Sequence, residues 1–96
     1  MISHEMKDQT LWIAIADSLT VDDFEALQAA QKEQGYEQII IDFSQTKHID
    51  SGGLGILLQL RTQMADNGDK ILLHAASEHI LKIFDVVNFD KLFKIT

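Results

Sequence analysis

Hydrophobic positions along this chain recur with two periods, and the alternation between them outlines an α/β domain. Leu11 to Ala16 is apolar and partly β-branched, Ile2 to Lys7 is a weaker strand candidate, and Asp8-Gln9 between them suits a tight turn, so a short hairpin is expected to open the fold. Thr20-Val21-Asp22-Asp23 resembles a capping box, with an acid three residues after a hydroxyl. In the helix that follows, Phe24, Leu27 and Ala30 fall on one face, Glu25, Gln28 and Lys32 lie elsewhere, and Gly35 offers a left-handed stop.

Gln38 to Phe43 is apolar on consecutive residues, the pattern of a strand covered on both faces. A second helix is expected from about Gly52 to Ala65, with Leu54, Leu57, Leu58, Arg61 and Met64 along a stripe and Asn67-Gly68 as its stop. Lys70 to Ala75 then reads as a strand, which completes a βαβ unit with a right-handed crossover and a parallel strand pair. Ser77 is the expected cap of a third helix, Glu78 to Val87, with Ile80, Leu81, Phe84 and Val87 as its apolar face and Asn88 at its end. Leu92 to Ile95 suits an edge strand, although a short terminal helix or coil would satisfy the same residues.

Composition narrows the functional classes. Ninety-six residues without a Pro-, Gly- or Ser-rich linker suit one domain, residues 1–96. Cysteine is absent, so disulfides and thiolate chemistry are excluded; the four histidines have no metal-binding spacing, and no metal or cofactor is expected. The net charge of −7 argues against nucleic acid as a partner. The polar amino terminus and the lack of a long apolar run argue against a signal peptide and membrane insertion, leaving a soluble, cytoplasmic protein as the expectation.

Candidate chemistry gathers in Ile49-Asp50-Ser51-Gly52-Gly53-Leu54-Gly55, between the central strand and the second helix. Glycines there allow close approach by another backbone or a bulky group, and the first amides of the helix, lacking intrahelical partners, favour an anion. Ser51 has two readings: a helix cap whose oxygen binds an amide two or three residues on, or a reactive hydroxyl. Asp42 also has two: a carboxylate lining a site at a strand end, or one that bonds loop amides. His48, Asp50 and Ser51 contain the residue types of a hydrolase triad, but near-adjacency is the wrong geometry, and the glycine run lacks the spacing and lysine of a nucleotide loop.

Ile41-Asp42-Phe43-Ser44 followed by Ile49-Asp50-Ser51-Gly52-Gly53-Leu54-Gly55 resembles the phosphorylation-site signature of STAS domains of the bacterial anti-sigma-factor-antagonist type. The likeness continues through Asn67-Gly68-Asp69-Lys70-Ile71-Leu72-Leu73 and through Ile80 to Phe93. It implies a single STAS-like domain, a small mixed β-sheet with helices mainly on one face. It also implies a non-enzymatic partner-switching regulator in signal transduction and transcription regulation.

By that resemblance Ser51 is the phosphorylation site. Unmodified, the protein would bind a serine kinase that is also an anti-sigma factor; phosphorylation would release it, and a PP2C-type phosphatase would reset it. Asp50, Gly52, Gly53 and Leu54 would form the partner-binding segment, with Asp17, Thr20, Asp22 and Asp42 at the site's periphery. A phosphate on Ser51 would repel a partner carboxylate about 6 Å away by roughly 3 to 5 kcal/mol. Gly52 stands where the family usually has a second hydroxyl, and Thr20 where relatives often carry an acid, for which Asp17, Asp22 or Asp23 could substitute in space. The alternative function is a non-phosphorylated STAS subunit of a lipid-transport ABC system.

Overall fold

A computed structural model describes residues 1–96. Strands β1 (Ile2–Lys7) and β2 (Thr10–Ile15) form the expected hairpin. Its two-residue turn has positive φ at both Asp8 (50°) and Gln9 (66°), the mirror-image turn whose twist matches a hairpin. The chain then passes through β3 (Asp17–Leu19) and a 3-10 turn, Val21–Asp23, into α1 (Phe24–Gln31). Thr20 makes the capping box with Asp23: the Thr20 amide donates to Asp23 Oδ2 at 2.9 Å, and Thr20 Oγ1 accepts the Asp22 amide at 3.2 Å. α1 ends at Gln31, and Gly35, with φ of +84°, shapes the loop beyond rather than the helix stop.

Next come β4 (Gln38–Asp42), β5 (Thr46–Ile49) and α2 (Ser51–Gln63). The chain finishes with β6 (Ile71–His74), α3 (Glu78–Val86), a 3-10 turn at Phe89–Lys91 and β7 (Lys94–Ile95). The main sheet has the order β1-β2-β4-β6-β7, antiparallel only between β1 and β2, which makes it a mixed sheet. Asn88, with φ of 60°, ends α3 in the left-handed region as its position suggests.

Alternate residues of the central strands face the helices: Leu11, Ile13 and Ile15 from β2, Ile39, Ile41 and the adjoining Phe43 from β4, and Ile71 and Leu73 from β6. They pack with Leu27, Ile56, Leu57, Leu60, Ile80 and Phe84, and an aromatic chain from Phe43 through Phe84 and Phe89 to Phe93, with centroid spacings of 5.0–5.6 Å, closes one end. Trp12, Ile40 and Leu72 lie outside this core and the side chains packed on it. The run of isoleucines in β4 therefore does not mark a strand between two helical layers; its second face lies away from the helices.

One further expectation is corrected, and one feature is new. α2 starts at Ser51 and stops at Gln63, because Ala65 and Asp66 take left-handed conformations (φ 57° and 58°) before Asn67-Gly68 is reached. Gly68 serves another purpose: a Cβ there would fall 1.6 Å from the Leu92 carbonyl oxygen, which also accepts a 3.0 Å bond from Arg61 Nε. The second finding is a parallel ribbon of β3 and β5 apart from the main sheet. Three- and four-residue strands are too short to impose a readable period. The buried Thr46 ties the ribbon to β2, donating from Oγ1 to the Ile15 carbonyl at 2.6 Å.

Candidate functional site

The ribbon positions the start of α2. Leu19 pairs with Ile49, and the Leu19 carbonyl accepts the Asp50 amide at 3.4 Å, which brings the end of β3 beside the turn into the helix. Leu19 also dictates the glycine at 53: a Cβ there would lie 2.2 Å from the Leu19 carbonyl oxygen, so only glycine lets the helix approach this closely. At Gly52 a Cβ would meet Val21 Cβ at 3.1 Å and Asp50 Oδ1 at 3.3 Å, a tight but less forbidding fit.

The cap is Asp50, not Ser51. Asp50 has extended backbone angles (φ −102°, ψ −179°), and its Oδ1 accepts the Gly53 amide at 2.8 Å. Ser51 is thereby the first helical residue, exposed to solvent, with its hydroxyl left out of the capping bond. The amides of Ser51 and Gly52 have no carbonyl one turn back within the helix, so the hydroxyl stands beside donors suited to an anion. Asp50 thus holds the helix start while Ser51 faces outward.

Of the peripheral residues, Thr20 and Asp22 belong to the turn that packs against the start of α2, through Val21 and Gly52. Asp23 belongs to the same turn, but its carboxylate is committed to the Thr20 amide. Asp17 and Asp42 lie elsewhere. Asp17 pairs with Thr46, at the end of the ribbon remote from Ile49, and its amide donates to the Gln45 carbonyl at 2.9 Å. Asp42 ends β4 on the face turned away from the helices, and its Oδ1 accepts the Ser44 amide at 2.9 Å, so it bonds a loop amide as the second of its readings had it. No three His, Asp or Glu side chains converge as a metal site.

Sequence reasoning placed Leu54 at the site but missed the other apolar neighbours of Ser51. Val21, 64% exposed, flanks Gly52; Leu54 is half-buried; and Leu58, assigned to the core stripe, is 42% exposed. The buried face of α2 is Gly53, Ile56, Leu57 and Leu60, which leaves Ser51, Gly55 and Leu58 on the opposite, outer face. Gly55 carries its own signal. Its φ is negative and a Cβ would meet nothing within 4 Å, so neither backbone conformation nor packing requires glycine in mid-helix.

Residues 2–95 match the family model described as "Mlab, STAS domain". The chain belongs to the STAS domain family. Among relatives of this STAS domain, the anti-sigma factor antagonist assigned as BtrV from Bordetella bronchiseptica is 24% identical over 81 residues, 84% of this chain and 70% of that protein. A STAS-domain protein of Pseudomonas aeruginosa is 35% identical over 57 residues, 59% of this chain and 56% of that protein's length. The fold is similar to that of the anti-sigma factor antagonist SpoIIAA in its unphosphorylated form, with a TM-score of 0.81 at 20% identity, covering 100% of this chain and 88% of that one. No helix is long and apolar enough to cross a membrane.

Proposed function

We propose that this STAS domain is a partner-switching regulator of the anti-sigma-factor-antagonist kind, and not an enzyme, with Ser51 as the phosphorylated residue. The supporting observation is the division of labour at the start of α2: Asp50 takes the Gly53 amide, so the Ser51 hydroxyl is exposed and uncommitted. A kinase can reach it without undoing the cap. In the unmodified state the outer face of α2, with Gly55 and Leu58 and the half-buried Leu54 at its edge, docks on a serine kinase that doubles as an anti-sigma factor. Phosphate on Ser51 adds nearly two negative charges next to Asp50, and repulsion of a partner carboxylate weakens the complex about a hundredfold or more. The unpaired helix amides hold the phosphate, so the domain stays folded, and a PP2C-type phosphatase restores binding. This cycle places the protein in the cytoplasm, with its partners.

The test is capture of partners from the source cells on immobilised protein. Wild type and Ser51→Ala are expected to retain the same kinase, and Ser51→Asp to lose it. Equal capture by all three would contradict the proposal.

A second reading has its own support. The matching family description is that of Mlab, and Gly52 leaves a single hydroxyl in the motif. Under this reading the domain is a non-phosphorylated subunit of a lipid-transport ABC system. A stable complex with an ATPase, indifferent to Ser51→Asp, would decide for it.

A further inference from the structure

The face of the main sheet turned away from the helices carries a row of side chains that crosses all five strands. By the strand register, Glu5 on β1 lies beside Trp12 on β2, then Ile40 on β4, Leu72 on β6 and Lys94 on β7. Three apolar residues occupy the middle, with an exposed acid at one end and an exposed base at the other. Ile40 is only 9% exposed although no helix covers this face, flanked as it is by Trp12 and Leu72.

We propose that this face is the contact surface of a weak symmetric homodimer, the second copy lying face to face about a two-fold axis along β4. That rotation turns the face over and exchanges the sides of the sheet. β1 then lies over β7 of the second copy, β2 over β6, and β4 over itself. Glu5 meets the second copy's Lys94 at one edge, and the same pair recurs at the other; Trp12 meets Leu72, and Ile40 meets its own equivalent. An axis across the strands that kept the Trp12–Ile40–Leu72 row against itself would instead set Glu5 on Glu5 and Lys94 on Lys94. The charges therefore select one arrangement, as a self-complementary two-fold contact requires.

The size of the face fixes the strength. Five strands about 4.8 Å apart span roughly 19 Å, so the area covered falls at the small, transient end of specific interfaces. One contact opposes association: Asp42, in the next row of β4, faces its own equivalent across the axis.

Sedimentation velocity of the full chain over a wide concentration range tests the dimer. The average mass is expected to rise from monomer towards dimer at the upper end of the range. Glu5→Lys and Lys94→Glu each disturb two symmetry-related pairs and should each weaken association about tenfold. Combined, they restore the pairs in reversed polarity and should recover association to near the wild-type level. Asp42→Asn should strengthen it, and Ser51→Asp, remote from this face, should leave it unchanged. A monomer at every concentration would overturn the proposal, including one whose Trp12 fluorescence responds instead to a different protein or to lipid vesicles. So would a double variant no better associated than either single one.

Discussion

Helices α2 and α3 each have a serine at or next to the cap, and they use it in opposite ways. At α3 Ser77 is the cap, and its Oγ accepts the Ile80 amide at 3.3 Å. At α2 the cap moves one residue earlier, to Asp50, whose carboxylate takes the Gly53 amide at 2.8 Å and leaves Ser51 exposed. A hydroxyl at α3 secures the helix; the hydroxyl at α2 is not needed for that. The contrast extends to the residues behind each start. Glycine at 53 lets α2 lie against the Leu19 carbonyl, whereas α3 begins Ser77-Glu78-His79-Ile80 with no glycine. The start of α2 has been fitted tightly on its inner side and left free on its outer side.

The largest effect expected from this contrast is at Gly53. Gly53→Ala drives a methyl group to 2.2 Å from a backbone oxygen and should cost about 2 to 3 kcal/mol in urea denaturation, through displacement of the helix start. Ser77→Ala removes a cap and should cost about 1 kcal/mol, with Asp50→Ala costing a similar amount. Gly55→Ala should act in the opposite direction, stabilising the fold by about 0.5 to 1 kcal/mol, since the position is helical and open. If Gly55 instead lets a partner lie close to the helix, the same substitution should weaken partner capture despite the more stable fold. Smallest of all, Ser51→Ala should change stability by no more than about 0.5 kcal/mol. A cost at Ser51 equal to that at Ser77 would abolish the distinction between the two helix starts.

Much of this fold was legible because long elements impose their period. The hairpin turn, the Thr20 cap, the Ser77 cap and the Asn88 stop all follow from local chemistry and lie where their residues suggest. The β3–β5 ribbon was not legible, since its strands are too brief for periodicity and its pairing joins residues far apart in sequence. The stop of α2 was misread because Ala65 and Asp66 adopt a conformation that glycine or asparagine usually fills, while Gly68 answers a steric demand made by the distant Leu92.

At the candidate site, the motif located the segment but not its division of roles. Both Asp50 and Ser51 are good caps, and sequence alone does not choose between them. Geometry chooses Asp50. Leu58 was counted among core positions because a leucine near an amphipathic stripe is usually buried, and its exposure depends on how α2 is rotated over the sheet. Gly55 was grouped with its neighbours as a glycine allowing close approach, and only the structure separates it from Gly53 as a mid-helix glycine with no internal reason to be one.

Intact-mass analysis of the protein purified from its source cells, beside a Ser51→Ala variant, reads out whether Ser51 carries a phosphate. A phosphate-sized addition is expected on the wild type, mapping to Ser51 and missing from the variant. An unmodified wild type under every growth condition, with the variant still binding every partner, would contradict the switch and favour the constitutive subunit.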